Sequence, residues 1–194
     1  MKKSSALIDS LDKIEELLNL LLINEPLIYI IVAYVYYFGY SQDEVIGYIS
    51  KNHTFPTKNK RGVPLELNNY PKLISLLNIF NFECFSVNRG SLYRILKHYG
   101  SECGLNNVCM VALRKTWAFN EVCKGTDFPT IKHQISYKGS ILQFFDYLGV
   151  GYDDIINNEH LKILYFRGLT SCLASRIPEN IPELALRELR DFIS

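Results

Sequence analysis

The positive charge of this chain is concentrated in its middle. Residues 51–150 hold thirteen Lys and Arg against six Asp and Glu, whereas the stretches before and after both carry more acid than base. Ammonium and guanidinium groups gathered in one stretch can neutralise phosphates, and the forked donors of arginine match phosphate oxygens in geometry. Lys58, Lys60 and Arg61 lie in the polar segment Thr54–Leu65. Arg114 and Lys115 lie in Leu113-Arg114-Lys115-Thr116-Trp117-Ala118, and Arg94 and Lys138 stand apart. These seven are the candidate contacts to a nucleic-acid backbone. A formal net charge of only +1 hides this distribution.

Other chemistries have less support. The five cysteines, at 84, 103, 109, 123 and 172, form no C-x-x-C pair and no Cys/His ligand spacing. Neither a metal site nor a disulfide framework is expected, and reduced thiols in a cytoplasmic protein are. There is no Gly-rich phosphate loop or nucleophile elbow, so a small-molecule enzyme and a cofactor are both disfavoured. The longest apolar run, Pro26 to Tyr40, has 15 residues, too few to span a bilayer, so no membrane partner is expected. Asp9 and Asp12 interrupt any signal-peptide core.

Helices must position the basic groups. With 48% hydrophobic residues the chain can bury a core. Leu7, Leu11, Ile14, Leu18, Leu21 and Leu22 recur at helical spacing and predict a helix over 6–23. Pro26 suits the first turn of a second, all-apolar helix ending at Gly39. Ser41-Gln42-Asp43-Glu44 reads as a capping box opening a third, through Tyr48. Residues 54–65 predict two short strands around an Asn/Gly turn, the one β candidate. Further helices are expected at 68–79, 90–99, 113–124, 128–136, after Ser140, at 158–174 and at 182–193. The fold class is therefore mainly α with a small β-hairpin, and 1–194 reads as one domain. On the helix after Ser140, Tyr147 lies about 120° from Ile141 and outside the apolar stripe of Phe144, Phe145 and Leu148.

The order of these features resembles the catalytic domain of tyrosine recombinases, the phage integrases among them. Tyr37-Phe38-Gly39-Tyr40-Ser41-Gln42-Asp43-Glu44 stands where that family has "Y-T-G-L-R-x-x-E". The basic hairpin and Val63-Pro64-Leu65 stand where it has a lysine hairpin and "V-P-L". Cys103-Gly104-Leu105 is similar to "A-G-I/L". Leu113-Arg114-Lys115-Thr116-Trp117-Ala118 is similar to "L-R-K/H-T-x-A", and Tyr147-Leu148-Gly149-Val150 to "Y-L-G-I/V". The resemblance covers roughly residues 6–150 and leaves 151–194 as a C-terminal helical extension.

The resemblance implies strand cleavage by a tyrosine hydroxyl that forms a 3′-phosphotyrosine. It assigns Tyr147 as nucleophile, Arg114 as one of two clamping arginines, and Lys58 as the hairpin general acid, with Lys60 as the alternative. Three positions depart from the pattern. Ser41 stands in place of the first arginine, Val111 in place of a histidine, and Lys138 in place of His or Trp. A missing clamp donor costs about 2.7–4 kcal/mol of transition-state stabilisation. The expectation is thus a DNA-binding protein of integrase-like fold with degenerate cleavage, acting in plasmid or phage DNA maintenance, replication control or regulation. An active recombinase using Tyr147 is the first alternative, and an α-helical protein-interaction module is the alternative from another class. Only one helix precedes the motifs of the catalytic domain, so a tight clamp around the expected partner, double-stranded DNA, is not predicted. Residues 182–193 could dock into a second copy or a partner recombinase.

Overall fold

The computed structural model describes residues 10–176, and these are mainly helical. The expected helix at 182–193 and the start of the first helix lie outside the described residues. α1 (Leu11–Asn24) buries Ile14, Leu17, Leu18 and Leu21 against α2 (Pro26–Phe38). Ten of the thirteen residues of α2 are buried, so it has no face to give to water and must run through the centre. α3 (Gln42–Asn52) opens on the capping box read from the sequence, with Ser41 Oγ accepting from Glu44 N at 3.2 Å and Glu44 Oε2 accepting from Ser41 N at 2.7 Å.

The segment 54–65 is a correction. It forms no two-stranded sheet; a single antiparallel bridge joins Lys58 and Pro64. Only two backbone bonds cross it, Asn59 N to Val63 O at 2.8 Å and Leu65 N to Thr57 O at 2.9 Å, and the pairing stops where the Leu65 carbonyl accepts from Leu67 N at 2.8 Å instead. Side chains satisfy more of this backbone. Asn59 Oδ1 accepts from the N–H groups of Arg61 and Val63 at 2.9 and 3.0 Å. The Tyr34 hydroxyl donates to Pro56 O at 2.8 Å, and the Tyr40 hydroxyl donates to Lys58 O. These two bonds pin the loop onto the end of α2.

α4 (Pro71–Ile79) and α5 (Arg89–Glu102) complete a first hydrophobic cluster around α2. A second is built from α7 (Phe128–Gln134), α8 (Ile141–Leu148), the short α9 (Tyr152–Asn157) and α10 (Glu159–Arg176). α6 (Met110–Cys123) contributes Leu113 to the first cluster and Trp117, Ala118 and Val122 to the second. It therefore joins them, and Arg114 and Lys115 sit at that junction. α6 begins three residues before the expected start because Cys109 Sγ accepts from Ala112 N at 3.4 Å and caps it. α9 is not anticipated from sequence: its six residues are too few to show a period. No helix among the described residues is long and apolar enough to cross a membrane.

Candidate nucleic-acid interface

The site begins where α2 ends. Gly39 adopts φ +70°, and a Cβ there would lie 2.3 Å from a Trp117 ring carbon, so only glycine fits. The contact brings the end of α2 against α6. The Gly39 carbonyl, without a partner within its own helix, then accepts from Arg114 Nε at 2.9 Å.

Glu44 gathers the rest. Besides the Ser41 N–H, its carboxylate accepts from Arg114 Nη2 at 3.4 Å and from Lys60 Nζ. Lys60 Nζ also donates to Ser136 Oγ at 2.8 Å. Gln134 fastens the frame: its Nε2 donates to Phe38 O at 2.7 Å and its Oε1 accepts from Lys60 N at 3.1 Å. Arg114 Nη2 lies 3.5 Å from the Gln134 carbonyl as well. Segments up to 96 positions apart are thus tied at one corner.

Two cations share one carboxylate here, which leaves the corner positive. Burial acts to raise the Glu44 carboxyl, but the hydrogen bonds from Lys60 and Ser41 N and the charges of Lys60 and Arg114 outweigh it and hold it below the usual carboxylate range. Burial draws the Lys60 ammonium below the usual lysine range, with Glu44 opposing and Arg114 adding. Burial also lowers the Arg114 guanidinium, against the pull of Glu44.

Tyr147 reaches the same corner from α8. It is half-buried, 5.3 Å from the Tyr137 ring and stacked at 6.1 Å on Phe144. The Lys115 ammonium sits 4.8 Å from its ring centre, within cation–π range. Burial raises the Tyr147 phenol while the Arg114 charge lowers it, so the two are within electrostatic reach. Its hydroxyl makes no hydrogen bond among the described residues.

The remaining expected residues are placed unevenly. Of the two hairpin lysines, Lys60 points into the corner, whereas the Lys58 side chain is exposed and only its carbonyl is used. Arg61 reaches Thr130 on α7. Lys138 is exposed. Lys115, grouped with the exposed cations on sequence, is 3% exposed, because its position on α6 faces the second cluster. Arg94 is not brought to the corner: it lies on α5 beside Glu25, Ser91 and His98. Ser41 Oγ is engaged in its own helix cap, and Val111 is exposed and apolar. Glu44 and Gln134 are the residues that the site list from sequence omits. The capping box explained Glu44 by one oxygen and concealed the other; Gln134 carries no local signal at all.

No protein-family model matches the chain, and no curated protein or solved structure matches it.

Proposed function

We propose that the corner of Glu44, Lys60, Arg114 and Tyr147 lies against the phosphate backbone of duplex DNA and holds it without cutting it, on a fold like the tyrosine recombinase catalytic domain. The observation that carries this reading is the convergence of Arg114 and the basic-loop Lys60, far apart in sequence, on the one carboxylate of Glu44, with Tyr147 within electrostatic reach of Arg114. Exposed Lys58, Arg61 and Lys138 extend it as contacts to neighbouring phosphates.

The same geometry argues against cleavage. A phosphorane needs donors that are free to meet it. Arg114 Nε and Nη2 are already bonded to protein oxygens, which leaves Nη1 without a partner among the described residues. Lys60, as general acid, is tied to Glu44 and Ser136. The hydroxyl at 41 is short, uncharged and used. Burial keeps the Tyr147 phenol protonated above its usual range, the opposite of activation. One observation favours the cleaving alternative, namely that Arg114 stabilises the Tyr147 phenolate. A nicked suicide duplex separates the two: no covalent adduct is expected, and an adduct abolished by Tyr147→Phe would establish a working recombinase.

A further inference from the structure

A second polar site lies on the other side of Trp117 and Gln134, and the function proposed above does not use it. It is a cavity of about 190 Å³. Aromatic rings of Tyr37, Phe38, Tyr70 and Trp117 line it together with the carboxylates of Glu66 and Glu121. The rings are locked rather than loose. Tyr37 and Tyr70 stack at 3.9 Å and 25°, and Phe38 meets Tyr70 edge-on at 5.3 Å. The Tyr37 hydroxyl donates to Glu15 Oε1 at 3.3 Å, adding a third carboxylate behind the aromatic wall. One cation, Lys124, belongs to the lining; it pairs with Glu121 at 2.9 Å and its side chain is 69% exposed.

Ring faces carry negative quadrupole charge, and carboxylates behind or beside them deepen it. The field at Tyr70 reflects this: burial raises its phenol, Lys124 lowers it, and Glu121, Glu66 and Glu15 each raise it. A volume of about 190 Å³ is below the roughly 300–1,000 Å³ of pockets that hold drug-sized ligands. It suits a head group or a single side chain and excludes a nucleotide. Phosphate is disfavoured by the excess of carboxylates. We propose that this cavity binds an alkylammonium group, its methyls against Tyr37, Tyr70 and Trp117 and its charge facing Glu66 and Glu121.

Trp117 is the chain's single tryptophan, so its emission reads the cavity directly. The full chain is titrated with choline, with the uncharged isostere 3,3-dimethylbutan-1-ol, and with a short peptide bearing one trimethyllysine, at matched ionic strength. Choline is expected to change Trp117 emission saturably with a dissociation constant near or below about 1 mM, and the alcohol to bind at least roughly tenfold more weakly. Glu66→Gln is expected to weaken choline about 3- to 10-fold. Glu66 is exposed and, among the described residues, its carboxylate accepts from Asn69 alone, at 2.9 Å, so this substitution leaves the fold intact. Tyr70→Leu keeps apolar bulk but removes the ring, and is expected to cost roughly 3- to 30-fold. A peptide that binds about tenfold tighter than choline identifies a polypeptide side chain as the source, and equal affinity identifies a free small cation. No saturable change with either cation up to about 100 mM, or equal binding of the alcohol, overturns the proposal.

Discussion

Two polar sites share a wall of Phe38, Trp117 and Gln134 and carry opposite charge. On the Arg114 side, two cations converge on one carboxylate, and nearly every donor is engaged by a group far away in sequence. On the Tyr70 side, carboxylates outnumber the one lysine and the walls are aromatic. The difference teaches how one helix, α6, serves two chemistries. Arg114 and Trp117 stand three positions apart, close to one turn, so one helix position sets the guanidinium in the cationic corner while the other supplies an indole to the anionic cavity. Gly39 is the hinge point of both, because the ring that lies over it and the guanidinium that takes its carbonyl come from the same face of α6.

The largest effect is therefore expected at Gly39, where one substitution disturbs both sites. Gly39→Ala imposes a disfavoured positive φ and drives a methyl into Trp117, for a loss of about 2–4 kcal/mol. For a chain of this length that is roughly 5–15 °C in the thermal midpoint, and calorimetry checks it. Choline binding is expected to weaken in the same variant. Arg114→Ala comes next and acts on one side only. It removes charge-assisted bonds to Gly39 O and Glu44, costing about 2–3 kcal/mol, and weakens DNA binding, while leaving the Trp117 response to choline unchanged.

Glu44→Gln separates stability from affinity. Loss of the carboxylate leaves Lys60 and Arg114 poorly paired and costs about 1–2 kcal/mol at neutral pH, yet the corner becomes more positive and is expected to bind DNA more tightly in those molecules that remain folded. The pH dependence follows from the direction of the carboxyl shift. Because the folded state holds the Glu44 carboxyl below its unfolded value, its contribution is present above the usual glutamate range and is lost as pH falls through the folded value. Wild-type stability is expected to decline more steeply than that of Glu44→Gln as the solution is taken below about pH 4.5, in denaturant titrations at successive pH values. The smallest effect is expected from Tyr147→Phe. Its hydroxyl has no hydrogen bond among the described residues, so stability changes by less than about 0.5 kcal/mol and DNA affinity is retained.

Local chemistry was legible in the sequence and long-range chemistry was not. Ser41 announced its capping box, Ser140 and Pro26 announced helix starts, and Gly39 announced a helix end, because each signal is complete within four residues. The hairpin reading overreached because the pairing ends at one bridge: the Leu65 carbonyl turns to Leu67 N and the Val63 N–H to Asn59 Oδ1. The choice between Lys58 and Lys60 could not be made from spacing. It depends on Glu44, Ser136 and Gln134, which approach from 16 to 76 positions away. Lys115 was misplaced for a related reason. α6 is packed on both of its main faces, so its helical pattern carries no strong amphipathic signal to say which cation is inside.

A corner that holds phosphates binds duplex DNA in a salt-dependent way. Fluorescence anisotropy of a labelled duplex, titrated across salt concentration with the wild type and with Lys58→Glu/Arg61→Glu, tests it most directly. Both substituted side chains are exposed; Arg61 gives up its bond to Thr130, so circular dichroism of the double variant checks the fold first. Binding is expected at low salt with a log–log salt slope of about −3 to −5, falling in magnitude by roughly 2 in the double variant. Absence of binding at about 20 mM salt, or a slope that the double variant leaves unchanged, would contradict it.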